Sequence, residues 1–265
     1  MNISNPENRF DDFFKEKSYV SLKNSLYNYR LRKGAVSRHL QMQPPGAVLE
    51  TGSGISPVTR APEWTIYTDL SFQALAVLKQ INAGGLYVVA DCCHLPFKSD
   101  SFPFVISSEV LEHIADDQLA LQEMARVTRA AGQLIVTFPH RKIYFAADDR
   151  FVDHFRRYET EEMTRYLHQS GFQVVKLSKL LGPLEKLAML TAVTFYELFR
   201  KKRGSGSREL PAWLAAVFEK SFQLTNTFIM GPVWLEALLL PLSLASVVMI
   251  VGRRNKTSPA GQSEC

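Results

Sequence analysis

Cysteine is scarce in this chain of 265 residues, with three in all: Cys92, Cys93 and Cys265. Neighbours in sequence seldom bridge each other, and an odd number builds no disulfide framework, so a reducing compartment is expected. A large charge excess of one sign is also missing, with 31 basic against 26 acidic residues. Most of the excess falls late: residues 183–265 hold 10 basic and 6 acidic residues, a surplus of 4, which leaves 21 against 20 before them. The main part shows no basic stripe interleaved with aromatics, so nucleic acid is not an expected partner. The opening residues show no charged-then-apolar leader, and a cytoplasmic location is expected. Internal repeats are lacking. With 46% apolar and 22% charged residues, the composition excludes a disordered or fibrous chain and fits one large domain with an elaboration.

Residues 1–43 are polar and aromatic and predict an N-terminal helical cap, ended by Pro44-Pro45-Gly46. A rhythm follows. Short apolar runs at 47–51, 65–69, 86–90, 104–108, 134–138 and 172–177 predict strands, and helical spacing appears at 71–82, 116–127 and from Thr160 to Gly171. Gly132 stands where a left-handed helix end is wanted, and Thr160 before Glu161-Glu162 reads as an N-cap with acids in the first turn. Strands alternating with helices predict a doubly wound α/β domain around a mostly parallel sheet.

The sequence Glu50-Thr51-Gly52-Ser53-Gly54-Ile55-Ser56-Pro57 sits where the first strand turns toward a helix. Glycine lets a backbone approach a ligand, and the following N–H groups are free to bind it. A dinucleotide fingerprint would need its third glycine at position 57, which is Pro57. Acidic Glu50 beside the turn also suits a cationic ligand better than a phosphate. Asp69 and Asp91 end the next two strands, at the edge where open α/β sheets bind ligands. Asp69 suits the two hydroxyls of a ribose and Asp91 an exocyclic amine; singly, each is as readily a cap on the following helix.

These segments resemble the class I S-adenosylmethionine-dependent methyltransferases, in the branch known as methyltransferase type 11 domains. Residues 50–54 are similar to that family's first motif and Tyr67-Thr68-Asp69-Leu70-Ser71 to its second. Asp91-Cys92-Cys93-His94-Leu95-Pro96-Phe97 resembles the adenine-contacting stretch, 107–113 the segment after strand four, and 121–132 the helix before strand five. The likeness covers about residues 45–180, with Ser56 in place of the third glycine and Pro103 where an aspartate is usual. It implies a Rossmann-like sheet of seven strands and S-adenosylmethionine as cofactor. Glu50 and Gly52 would hold the methionine end, Asp69 the ribose, and Asp91 with Cys92 the adenine. Gly54 and Leu70 complete the cofactor set, and Ser108 and Glu109 would line the methyl-transfer side.

A base assists methyl transfer to a hydroxyl, and histidine is the usual one at neutral pH. His140 directly follows the fifth strand, and His154 lies in Asp153-His154-Phe155-Arg156-Arg157-Tyr158, similar to a segment bordering the acceptor pocket in related enzymes. These two are the candidate catalytic residues; the alternative for His154 and Arg157 is a tie between loop and sheet. His113 belongs to a segment that the family uses structurally. Tyr29, Arg30 and Lys33 either close over the cofactor or form a solvated helix face. Cys92, Cys93 and His94 match no zinc spacing, and no metal is expected.

The last third differs. A helix is expected over 184–199, then the basic cluster Arg200–Arg203, a Gly-Ser linker, a helix from Pro211 to about Phe228, and an apolar run over 228–251. Glu236, Pro232 and Pro241 argue against a membrane span there. The family resemblance implies a seventh, antiparallel strand, which residues 245–251 fit in length and β-branching. The expected division is 1–43 cap, 44–182 with 243–254 methyltransferase domain, 183–242 hydrophobic helical insertion, and 255–265 disordered tail. Apolar helices beside Arg200–Arg203 suit peripheral contact with the inner face of an anionic membrane, or else a cap or dimer surface. The expected function is methyl transfer to a small hydrophobic, lipid or lipid-linked acceptor at oxygen. The alternative is a non-catalytic module of the same fold that binds a partner or membrane through its C-terminal helices.

Overall fold

The computed structural model describes residues 23–59, 64–202 and 212–256. Its centre is a seven-stranded sheet. The strands are β1 (Val48–Thr51), β2 (Thr65–Asp69), β3 (Leu86–Val89), β4 (Phe102–Ser108), β5 (Thr128–Pro139), β6 (Phe172–Leu181) and β7 (Val247–Arg254). They lie in the order β3-β2-β1-β4-β5-β7-β6. The first five run parallel, and β7 is antiparallel to both β5 and β6. The helices are α1 (Tyr27–Gln41), α2 (Phe72–Ile81), α3 (Asp117–Val127), α4 (Ala147–Phe151), α5 (Thr160–Gln169), α6 (Pro183–Lys202) and α7 (Ala212–Leu239).

Side chains alternate across the sheet, so each central strand feeds two cores. Val105 of β4, Leu134 and Val136 of β5 and Ile250 of β7 share one core with Leu121 and Met124 of α3 and Met163 and Leu167 of α5. Ile106, Ile135 and Met249 point the other way, onto Tyr29 and Val36 of α1 and Val233 of α7. Helix starts are capped: Ser71 accepts from the Ala74 N–H at 3.1 Å and Asp116 from the Leu119 N–H at 3.0 Å.

The structure corrects several local expectations. β5 begins at Thr128, directly after α3, instead of at Leu134. The left-handed residue is Ala131 (φ 59°), while Gly132 is needed for close approach, since a Cβ there would lie 2.8 Å from the Arg129 carbonyl oxygen. The pairing of β4 with β5 shifts register across this stretch, which absorbs the extra residues in a bulge. Glu159, not Thr160, caps α5, in a capping box with Glu162. α7 runs unbroken through Gly231 and Pro232, because Ile229, Met230 and Val233 pack on the second core and outweigh the lost backbone bond. β7 extends through Gly252 to Arg254. Among the described residues no helix is long and apolar enough to cross a membrane. Residues 1–22, the Arg200–Arg203 side chains and the tail from 257 onward lie outside the described residues.

Candidate functional site

β1 and β2 end side by side, and their carboxyl edge carries the glycine turn. Gly52 (φ 61°) and Gly54 (φ 53°) are both left-handed, a conformation that costs residues with a Cβ. A Cβ on Gly52 would also meet the two Val110 methyls at 2.6 and 2.7 Å. The turn is drawn onto β2: the Ser53 N–H donates to the Thr68 carbonyl at 2.9 Å and the Gly54 N–H to Asp69 Oδ2 at 2.8 Å. Asp69 also accepts from the Ser71 N–H at 2.9 Å, and burial pushes its carboxyl up despite these bonds. Lys23 approaches the same turn and carboxylate; burial lowers its ammonium to about 8. The Ser53 and Ser56 hydroxyls are buried without partners.

Glu50 bonds the loop that follows the turn. Its Oε1 accepts from the Val58 N–H at 2.6 Å, and its Oε2 accepts from the Thr59 N–H at 3.2 Å and the Thr59 hydroxyl at 2.7 Å. It thereby fixes the far side of the loop, and burial raises its pKa. α1 braces that loop from outside: the Tyr29 hydroxyl at 2.8 Å and Lys33 Nζ at 3.0 Å both donate to the Pro57 carbonyl. Beyond β3, Asp91 Oδ1 accepts from the Cys93 N–H at 2.8 Å, while about half of the side chain stays exposed. Leu70 is exposed beside Asp69, and Cys92 is buried, its thiol pushed up to about 12 mainly by burial.

A cavity of about 270 Å³ opens next to the turn, with Gly52, Ser56 and Ser108 on one side and His113, His154 and Arg157 on the other. Glu109 enters it from the end of β4 in a left-handed conformation (φ 55°), unusual for a residue with a side chain. The Ser108 hydroxyl meets that of Thr137 at 2.8 Å, and Thr137 donates to Glu109 at 3.2 Å. α1 and α6 contribute Arg32 and Met189 to the wall. Of the expected residues, Glu50, Gly52, Ser108 and His154 therefore share one cavity, with Gly54 and Asp69 bonded at its edge.

His140 is not among them. It is 2% exposed; its Nδ1 is 2.9 Å from the Ala245 carbonyl and its Nε2 is 2.9 Å from the Thr160 hydroxyl. Both ring nitrogens are committed, one to the segment before β7 and one to the start of α5, and burial lowers its pKa. This excludes the free lone pair that a general base needs.

Several groups around His154 escape a sequence reading. Asp149 Oδ1 lies 3.0 Å from His154 Nδ1 and 2.7 Å from Arg157 Nε, and Asp149 Oδ2 lies 2.6 Å from Lys186 Nζ of α6. Lys186 also holds both oxygens of Asp148, at 2.6 and 2.7 Å. Burial opposes the Asp149 charge, yet the His154 bond and the two cations hold it well below the usual carboxylate range. The one sequence signal was Lys186 itself, a charge inside an apolar helix stripe. Glu112 is fully buried with neither oxygen hydrogen-bonded.

The glycine cradle, the carboxylates at successive strand ends and the two orphan serine hydroxyls fit a ligand with a cationic head and a ribose. The sequence model of the methyltransferase domain family matches residues 49–136. That match takes in the glycine turn, Asp69, Asp91 and Glu109. A demethylmenaquinone methyltransferase of Mycobacterium bovis is 33% identical over 131 residues, 48% of this chain and 55% of that protein. The chain thus spans about half the length of the curated relatives it matches. A methyltransferase of Thermotoga maritima superposes with a TM-score of 0.57 at 16% identity, covering 95% of this chain and 99% of that one. The phosphoethanolamine N-methyltransferase 2 of Haemonchus contortus, solved with S-adenosylmethionine, gives 0.54 at 15% identity, covering 93% and 60%. At such identities the structural likeness speaks for the fold alone.

Proposed function

We propose that the protein transfers a methyl group from S-adenosylmethionine to an oxygen on a small amphiphilic acceptor. The carrying observation is the cavity: polar and charged groups line it beside the glycine turn, and apolar surface lies outside. On α6 and α7, Leu187, Phe228, Leu235 and Leu238 are at least half exposed, apolar surface on which a lipid-like tail can lie. Relatives named for demethylmenaquinone support a hydrophobic acceptor of this kind.

The bound cofactor supplies an electrophilic methyl group, so the protein mainly has to align donor and acceptor. Asp69 and the Gly52–Gly54 turn would fix the donor, with Asp91 and Leu70 at its adenosine end. Ser108 and Glu109 face the transfer side. His154 lines the cavity with its Nδ1 turned to the ionised Asp149, and is the base that would take a proton from an acceptor hydroxyl.

The test is calorimetric titration with S-adenosylhomocysteine, comparing wild type, Asp69→Asn and His154→Gln, followed by turnover with membrane extract. The expected result is binding lost in Asp69→Asn and kept in His154→Gln, with turnover lost in both. A folded wild type that binds no S-adenosylhomocysteine would sink the proposal and favour a partner-binding module.

A further inference from the structure

Three polar groups converge behind the cavity wall with nothing between them. The turn 111–113 brings Glu112 and His113, and the loop before α5 brings His154. The Phe155 N–H donates to the Glu112 carbonyl at 2.8 Å, which pins the two segments together. Glu112 is 0% exposed and both its carboxylate oxygens lack a partner. His113 is hydrogen-bonded to the backbone of Asp153 through its ring, leaving Nδ1 buried and unpartnered. His154 is anchored at Nδ1 by Asp149, so its Nε2 faces Glu112 Oε1, 3.7 Å away.

That pattern has a chemical meaning. With one nitrogen of each ring bonded to an acceptor, the other nitrogen carries a lone pair. Two lone pairs and the Glu112 carboxyl then lie together, and burial pushes that carboxyl well up, so an ion or a proton must balance it. Leaving such groups buried and unpaired is costly. The 3.7 Å gap is also too wide for a direct hydrogen bond. The available ligand atoms of the three residues lie within 4.8 Å of one another. Nitrogen and oxygen ligands at about 2.1 Å from a tetrahedral ion are about 3.4 Å apart, so small ring rotations close the set. Asp149 behind His154 is the carboxylate that commonly orients a metal-binding imidazole.

We propose that Glu112, His113 and His154 bind a divalent transition-metal ion. Two imidazoles and one carboxylate favour zinc, iron or cobalt over magnesium or calcium. Both histidines line the acceptor cavity, so the ion borders it with coordination positions left for another ligand. An ion there would polarise an acceptor oxygen and lower the pKa of its proton. His154 would then act as a ligand and not as a free base. This role rests on the acceptor placement proposed above, whereas the site itself does not. The sequence carried the expectation of no metal, and this proposal departs from it, because the three residues meet only in the fold.

The experiment uses the tag-free full chain stripped with chelator, titrated with Co²⁺ by visible absorption and with Zn²⁺ by calorimetry and thermal melting. Wild type should bind one equivalent, show ligand-field bands and melt at higher temperature with Zn²⁺. Glu112→Gln and His113→Gln should each weaken binding by about tenfold or more and lose the Zn²⁺-dependent rise in melting temperature. Glu112→Gln keeps the side chain's shape and removes a buried charge, so it should fold. A folded wild type without stoichiometric binding, or equal binding by wild type and variants, would overturn the site; a proton or a water would then occupy the gap. S-adenosylhomocysteine titration of the same metal-free sample separates the two proposals, because loss of the ion site leaves cofactor binding intact.

Discussion

Lys186→Met is the sharpest probe of how the helical segment after β6 is joined to the rest. Lys186 is 7% exposed, with Asp148 at 6% and Asp149 at 1%, and its ammonium lies within 2.7 Å of oxygens on both. Asp149 would keep Arg157 and His154 after the change, but both Asp148 oxygens would lose their cation. Removing one partner of a buried ion pair costs about 3–5 kcal/mol, far more than the pair contributes relative to a neutral replacement. The double variant Asp148→Asn/Lys186→Met removes both charges and should recover most of that loss. Urea unfolding monitored by circular dichroism gives the numbers, provided that the transition slope is unchanged. A loss below about 1 kcal/mol, the value of an exposed pair, or a double variant no better than the single, would refute the buried network. Cofactor affinity serves as a control and should stay near wild type, because Lys186 bonds Asp148 and Asp149 and not the glycine turn.

Three further outcomes are expected. Gly52→Ala should lose about 1–2 kcal/mol from its left-handed conformation, more from the clash with Val110, and should not bind S-adenosylhomocysteine; Val110→Ala on top should return the steric part. His140→Phe strands the Ala245 carbonyl and the Thr160 hydroxyl, at about 1–3 kcal/mol per buried group, but should leave the pH profile of the remaining turnover unchanged; a profile lacking one limb would restore His140 as the base. Cys92 should resist alkylation at pH 8 until the protein unfolds. Its thiol ionises near 9.0 unfolded and about 12 folded, so stability should fall as pH rises between those values, less steeply in Cys92→Ala.

Most of the sheet was legible because strand signals are local: apolar runs between turn residues, with β-branching marking even β7 at a distance. The glycine turn was legible for the same reason, since position alone fixes which residues need φ above zero. His140 misled because position at a strand end says nothing of what covers it, and the cover comes from Ala245 and Thr160. The bonds from Glu50 to a loop folding back on it were hidden for a similar reason. The Asp149 cluster had no local signal beyond Lys186, which completes it from 37 residues away. Pro232 argued for a helix end that side-chain packing overrode.

The position of β7 sets an order of assembly. It pairs with β5 and β6 together, yet it is made after α6 and α7. A nascent chain that has emerged only as far as Leu240 therefore carries two open strand edges and exposed leucines on its newest helices, a combination prone to faulty association. The Ala245 and Ser246 carbonyls that bond His140 and Arg157 arrive in the same late segment. The Arg157 side of the cavity can thus set only when β7 threads between its two neighbours. Folding speed should accordingly be limited by closing this long loop.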